Sequence, residues 1–166
     1  MAELAPRERL QPSLLDRLRD DRPEQAVESR EQRVLSLRAL REGVLRDLAW
    51  LLNSTAMALA GAPRHVANSV LGFGVPDLSG ATVAQVDLVQ LERGIRQAIW
   101  DFEPRLIRAS VTVRALAPVD GEHHKLGFEI EADLWAQPYP EHLYLKSELD
   151  LERGVAALVE THGRTT

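Results

Sequence analysis

The 166-residue sequence contains no cysteine, so it can build neither a disulfide framework nor a thiolate metal site. Aromatic side chains are scarce as well. Three Trp, two Tyr and three Phe leave few platforms for stacking sugars. Lysine is almost missing: Lys125 and Lys146 are the only two among twenty basic residues, and the rest are Arg. Arginine makes planar bidentate contacts and sheds water readily, which suits interfaces, although a GC-rich genome produces the same bias. No apolar run is long. The longest, AWLLNSTAMALAGA, is broken by Asn53, Ser54 and Thr55 and falls short of the ~20 residues that a membrane span needs. The opening MAELAPRERLQ is charged and has no apolar h-region, so it does not read as a signal peptide. A net charge of −5 gives no general affinity for nucleic acid. The expected location is cytoplasmic. What remains, 45% hydrophobic and 27% charged residues, is a soluble globular composition, with enough chain to bury one core.

Residues 1–35 are dense in charge and interrupted by Pro6, Pro12 and Pro23, and read as an N-terminal arm that orders on contact. Within it, PSLLDRLRDD offers Leu14, Leu15 and Leu18 as apolar surface for one or two helical turns against a partner. From Ser36, a plausible N-cap, Leu37, Leu40, Val44, Leu45, Leu48, Leu51 and Leu52 recur at three and four, which predicts a helix ending near Asn53-Ser54. A second helical pattern runs from Val86 through Val89, Leu91, Ile95 and Ile99 to Phe102. It stops before Pro104, which disfavours helical geometry at Glu103. The period then changes to two. Val111–Ala115, Leu126–Leu134 and Leu143–Leu151 each alternate apolar and polar residues, as half-buried strands do. Asp120-Gly121 supplies a hairpin signal between the first two, and Gln137-Pro138-Tyr139-Pro140 a longer turn before the third. The predicted fold is α+β: two main helices, then a small three-stranded antiparallel meander. The domain spans 36–152, and 153–166 is left as a C-terminal tail.

Candidate chemistry is thin. Glu129, Glu131 and Asp133 share one strand face, which is a solvated surface rather than a cleft. The histidines (His65, His123, His124, His142 and His162) have no metal-binding spacing, so neither a metal nor a cofactor is expected. Gly72-Phe73-Gly74 lacks the third glycine, the Lys-Ser/Thr and the preceding strand of a phosphate loop. Two features stay unexplained by chemistry. The loop SVLGFGVPDLSG is too apolar for an idle turn, so Leu71, Phe73, Val75 and Leu78 either pack inward or await a partner. In Glu103-Pro104-Arg105, extended geometry displays both charges on one side of a rigid ring; the alternative is a local ion pair at a helix end.

Four stretches in order, SLLDRLRDD at 13–21, VLRDLAWLLNS at 44–54, SVLGFGVPDLSG at 69–80 and FEPRL at 102–106, resemble the TssE family. TssE is the wedge component of the type VI secretion baseplate, similar to the wedge protein of contractile phage tails, and the Glu-Pro-Arg triplet is its hallmark. The resemblance covers about residues 13–152. The family often has Asn-Tyr-Gly-Leu-Pro where this chain has Gly72-Phe73-Gly74-Val75-Pro76, so the apolar role of the loop survives while its polar groups do not. The resemblance implies a non-enzymatic structural subunit. Such a subunit assembles with TssF and TssG, with TssK attached, near the VgrG spike, and meets the first ring of the TssB–TssC sheath at an inner-membrane-docked baseplate. It implies docking roles for Glu103, Pro104 and Arg105, with Leu14, Leu15, Leu18, Leu71, Phe73 and Val75 as further contacts. A sheath strand could add to the meander through its Leu143–Leu151 edge or the opposite one. Two other readings are a lysozyme-like glycosidase with Glu103 as acid, and a soluble adaptor that binds a helix through the 69–80 loop.

Overall fold

The computed structural model describes residues 13–18, 24, 36–57, 63–78, 83–116, 124–136 and 139–161. Two long helices carry the architecture. Helix α2 (Leu37–Leu52) follows a short α1 (Leu14–Leu18) and begins where Ser36, in extended geometry, accepts the Ala39 N–H on its hydroxyl at 3.1 Å. Its three-and-four pattern buries Leu40, Val44, Leu48, Leu51 and Leu52. After a one-turn α3 (Arg64–Ala67), helix α4 (Leu88–Phe102) starts two residues later than the first apolar residue of its pattern. The reason is Asp87, which caps it by accepting the Gln90 N–H at 3.0 Å. It buries Leu91, Ile95, Ala98 and Ile99.

The sheet has four strands rather than three. β1 (Thr112–Ala115), β2 (Lys125–Leu134), β3 (Glu141–Asp150) and β4 (Val155–Glu160) pair antiparallel in chain order. β4 lies in the stretch that reads as a tail, so Leu143–Leu151 is no edge: β3 is covered on both sides. The Asp120-Gly121 turn, Gln137-Pro138 and residues 162–166 lie outside the described residues. One sheet face is apolar, with Phe128, Ile130, Leu143 and Leu145 packed against α2 and α4 in one core. Each such side chain gives about 1.5–3 kcal/mol on burial. The other face of the two central strands carries cross-strand charge, with Lys146–Glu129 at 3.6 Å and His142–Asp133 at 2.8 Å.

The two edges are β1 and β4, and each carries a side-chain cap from a helix segment. Thr161 N–H bonds the Tyr144 carbonyl at 3.0 Å. By the antiparallel alternation, Ala156, Leu158 and Glu160 therefore turn their main-chain groups outward. At Ala156 the Asn53 amide takes a strand's place: its oxygen accepts the Ala156 N–H at 2.9 Å and its nitrogen donates to the Ala156 carbonyl at 2.8 Å. On β1 the corresponding outward position is Ala115, whose N–H donates to Glu92 Oε1 at 2.7 Å. Asn53→Ala leaves both Ala156 groups open. At about 1 kcal/mol net per hydrogen bond, it is expected to cost about 2 kcal/mol and to promote edge-to-edge self-association, visible as concentration-dependent mass in light scattering.

Candidate functional site: a groove at the helix–strand junction

Pro104 stops α4, and Glu103 takes φ −121° and ψ 78°, outside helical geometry. The backbone then tightens, because Leu106 N–H returns to the Glu103 carbonyl at 3.3 Å. Arg105 folds back onto its neighbour. Its Nε donates to Glu103 Oε1 at 2.7 Å and its Nη2 to Oε2 at 2.5 Å, a fork-on-fork pair. The Arg105 backbone N–H adds a third bond to Oε1 at 3.1 Å. Glu103 is only 3% exposed, so the pair is turned inward, while Pro104 stays on the surface.

The charges continue. Arg105 Nη2 also donates to Asp47 Oδ2 at 2.6 Å; the other Asp47 oxygen accepts from Arg46 Nε at 2.9 Å; and Arg46 Nη1 donates to Asp16 Oδ1 at 2.6 Å. Glu103, Arg105, Asp47, Arg46 and Asp16 thus form one alternating chain of carboxylates and guanidinium groups from the α4–β1 junction, across α2, to α1. Burial pulls the Arg105 guanidinium down, but its bonds to Glu103 and Asp47 outweigh this and hold it above the usual Arg range. The Arg46 hydrogen bond is the main cause that lowers the Asp16 carboxyl below its ordinary value. A lowered carboxylate stabilises above its unfolded pKa, and that contribution is lost as pH falls through the folded one. Docking of α1 is therefore expected to fail in acid, below about pH 4. Trp50 fluorescence should report a first acid step in the wild type that Asp16→Ala lacks.

The apolar loop closes the other side. Val75 N–H bonds the Ser54 carbonyl at 2.8 Å and Ala56 N–H bonds the Val75 carbonyl at 2.9 Å, pinning the loop to the end of α2. A Cβ on Gly72 would lie 1.8 Å from the Ala67 carbonyl oxygen, and one on Gly74, at φ 131°, 2.3 Å from that of Ser54. The Gly-Phe-Gly pattern thus serves close backbone approach. It delivers Phe73 edge-on to Phe102, with ring centroids 5.3 Å apart. Beside them lies an open groove of about 250 Å³, walled by Leu15, Trp50, Phe73 and Phe102, with Glu103 and Arg105 at its floor.

Of the residues singled out from sequence, the groove gathers Glu103, Arg105, Phe73 and Leu15. Val75 is buried behind it, while Leu71 and Leu18 are exposed and do not line it. The Leu14 side chain lies outside the described residues. Missed were Asp16, Arg46, Asp47 and Trp50. Arg46-Asp47 interrupts the run Val44-Leu45…Leu48-Ala49 with adjacent opposite charges, which was the available signal. Among the described residues, no group of three or more His, Cys, Asp or Glu is placed to hold a metal ion, and no helix is long and apolar enough to cross a membrane.

A family model described as baseplate wedge protein gp25 matches residues 38–139, more than half of the chain. The chain belongs to that family. TssE is the type VI secretion homologue of gp25, so the TssE likeness falls within this family. The match spans α2, α4, β1 and β2 of the wedge protein, and three of the four stretches; the α1 stretch lies before it. No curated protein and no solved structure matches the chain. Family membership gives this wedge protein a structural place in a baseplate, among other baseplate proteins.

Proposed function

We propose that this wedge protein is a non-enzymatic structural subunit of a type VI secretion baseplate. It joins the TssF–TssG wedge, with TssK attached and the VgrG spike nearby, and anchors the first ring of the TssB–TssC sheath at the cytoplasmic side of the inner membrane. The observation that carries this reading is the groove with its ion-pair chain. Together they gather all four stretches that resemble TssE, so the residues that mark the family build a surface feature and not only a core. Residues 36–152 with β4 form the wedge body, and 1–35 the arm that reaches neighbours. Glu103, Pro104 and Arg105 set the shape of the docking face; Leu15, Leu18, Leu71 and Phe73 offer it apolar contacts, backed by Val75, with Leu14 on the same arm. For sheath contact the candidates are the two true edges, β1 and β4; on β4 the outward groups at Leu158 and Glu160 lie beyond the Asn53 cap.

The glycosidase alternative fares worse on geometry. Both Glu103 oxygens already accept from Arg105, which leaves the carboxyl committed to an ion pair and not to a sugar oxygen. The deciding experiment is a pull-down of coexpressed TssF and TssG with wild type and with Glu103→Ala/Arg105→Ala. Removing both partners leaves no unpaired charge between them, so the double variant is expected to fold. Capture of both proteins by wild type and loss in the folded double variant supports docking through this junction. Equal capture removes the triplet from the interface, and no capture by wild type removes the TssF–TssG assignment. Peptidoglycan clearing by wild type but not by Glu103→Gln would put the glycosidase in its place.

A further inference from the structure

Helix α1 is the shortest helix that lines the groove. Five residues do not sustain a helix alone, so its form depends on what it touches. Its polar grip is Asp16, bonded to Arg46 at 2.6 Å and to the Ser13 hydroxyl at 2.7 Å. Gly43 of α2 lies beside this grip: a Cβ there would come to 3.6 Å from Asp16 Oδ2 and 3.7 Å from Arg105 Nη1, both ordinary van der Waals distances. Among the described side chains the apolar grip is poorer. Leu15 forms one wall yet stays half-exposed, Leu18 is 75% exposed, and the groove beside Leu15 is open. Trp50, under the Arg46 guanidinium at 5.1 Å, is itself 49% exposed.

A carboxylate-binding arginine next to a half-open wall of Trp and Phe is more than this short helix uses. The geometry points to the groove as a receptor for an acidic, leucine-bearing helix of a neighbouring subunit, for which α1 is a placeholder within the chain. The occupant sets a carboxylate on Arg46, as Asp16 does, and a leucine deeper between Trp50 and Phe73 than Leu15 reaches. α1 shows the chemistry that is recognised and competes with it: a tethered segment holds its site at millimolar effective concentration, so only a better-fitting helix displaces it. The inference uses the assembly reading solely to name a subunit as the source of the helix.

The probe is a fluorescein-labelled peptide of residues 10–21, LQPSLLDRLRDD, titrated into the full chain by anisotropy. Wild type is expected to bind it weakly, because its own arm competes. The Leu15→Ala/Asp16→Ala chain, with the arm disabled and the Trp50, Phe73 and Phe102 walls intact, should bind at least 10-fold tighter. Adding Arg46→Ala should abolish this, and so should placing Asp16→Ala in the peptide. No binding to an arm-disabled chain of unchanged melting temperature overturns the inference and makes α1 a fixed part of the fold. Equal binding by all chains and both peptides overturns it too, as plain apolar adhesion. Should the arm-disabled chain not fold, Ser13→Cys gives a single thiol in a cysteine-free protein. Excess unlabelled peptide should raise its alkylation rate severalfold, and an unchanged rate is a refutation. These measurements need no TssF or TssG, so a failed pull-down with intact peptide binding overturns the baseplate assignment and leaves the receptor standing.

Discussion

Arg105→Ala is expected to destabilise the protein by about 3–5 kcal/mol, and Glu103→Ala by clearly less. The asymmetry follows from burial. Glu103 is 3% exposed and both of its oxygens accept from the Arg105 guanidinium, so removing that group leaves a buried carboxylate with only the backbone N–H of residue 105. Removing Glu103 instead leaves Arg105 with Asp47 and with partial access to solvent. For a chain of this size the Arg105→Ala loss corresponds to a fall in Tm of roughly 6–20 °C. The double variant should recover part of it, because neither charge is then left alone. A double-mutant cycle from thermal melts checks this, and additive losses would show that the two residues do not act as a pair.

This pair also marks how far the sequence could be read. That Pro104 ends a helix, and that a charge pair follows it, is local information and was legible. Of the two readings the triplet allowed, charges displayed together on extended backbone or a local ion pair at the helix end, the structure has the ion pair, because the Leu106-to-Glu103 turn curls Arg105 back and sends the pair inward. Asp47 and Asp16, which complete the network, lie 58 residues before Arg105 and 30 before Arg46, and nothing in a single sequence announces such pairings. Both long helices were legible from their three-and-four patterns, with Ser36 capping the first and Pro104 stopping the second; the Asp87 cap, which sets the true start of α4, was not read. Strand β4 was not. Its outward residues Val155, Ala157 and Val159 are apolar, so Gly-Val-Ala-Ala-Leu-Val has no contrast of period two to detect. The turn before it did leave a trace. Asp150 Oδ1 accepts the N–H groups of Glu152 and Arg153, and Gly154 adopts φ 63°, both ordinary turn chemistry.

The same lack of polar contrast bears on the edges. Acidic side chains, Glu129, Glu131 and Asp133, line the outer face of β2, a central strand with no open edge. The β4 edge has a different guard. There Asn53, from the end of α2, occupies both outward groups of Ala156, and on β1 Glu92 of α4 accepts the outward N–H of Ala115. The helices therefore guard part of each sheet edge as well as covering its core face.

Gly74→Ala is expected to have the second large effect, on shape as well as stability. At φ 131° a Cβ is strained wherever it points, costing on the order of 1–3 kcal/mol. Here it would also meet Ser54 backbone, with the carbonyl oxygen at 2.3 Å and the Ala56 nitrogen at 2.7 Å. Backbone cannot swing aside as a side chain can, so the loop must lift. Lifting breaks the Val75–Ser54 and Ala56–Val75 hydrogen bonds and carries Phe73 off Phe102, removing one wall of the groove. A loss of about 3 kcal/mol or more in chemical denaturation is expected, together with lost affinity for the residue 10–21 peptide. Phe73→Ala is the needed companion, since it removes the wall and leaves the loop backbone undisturbed. If Phe73→Ala weakens peptide binding and keeps most of the stability, while Gly74→Ala loses both, the glycine serves the fold and the phenylalanine serves the site. If Gly74→Ala melts as wild type does, the loop is not pinned to α2 as described, and the groove has no fixed second wall.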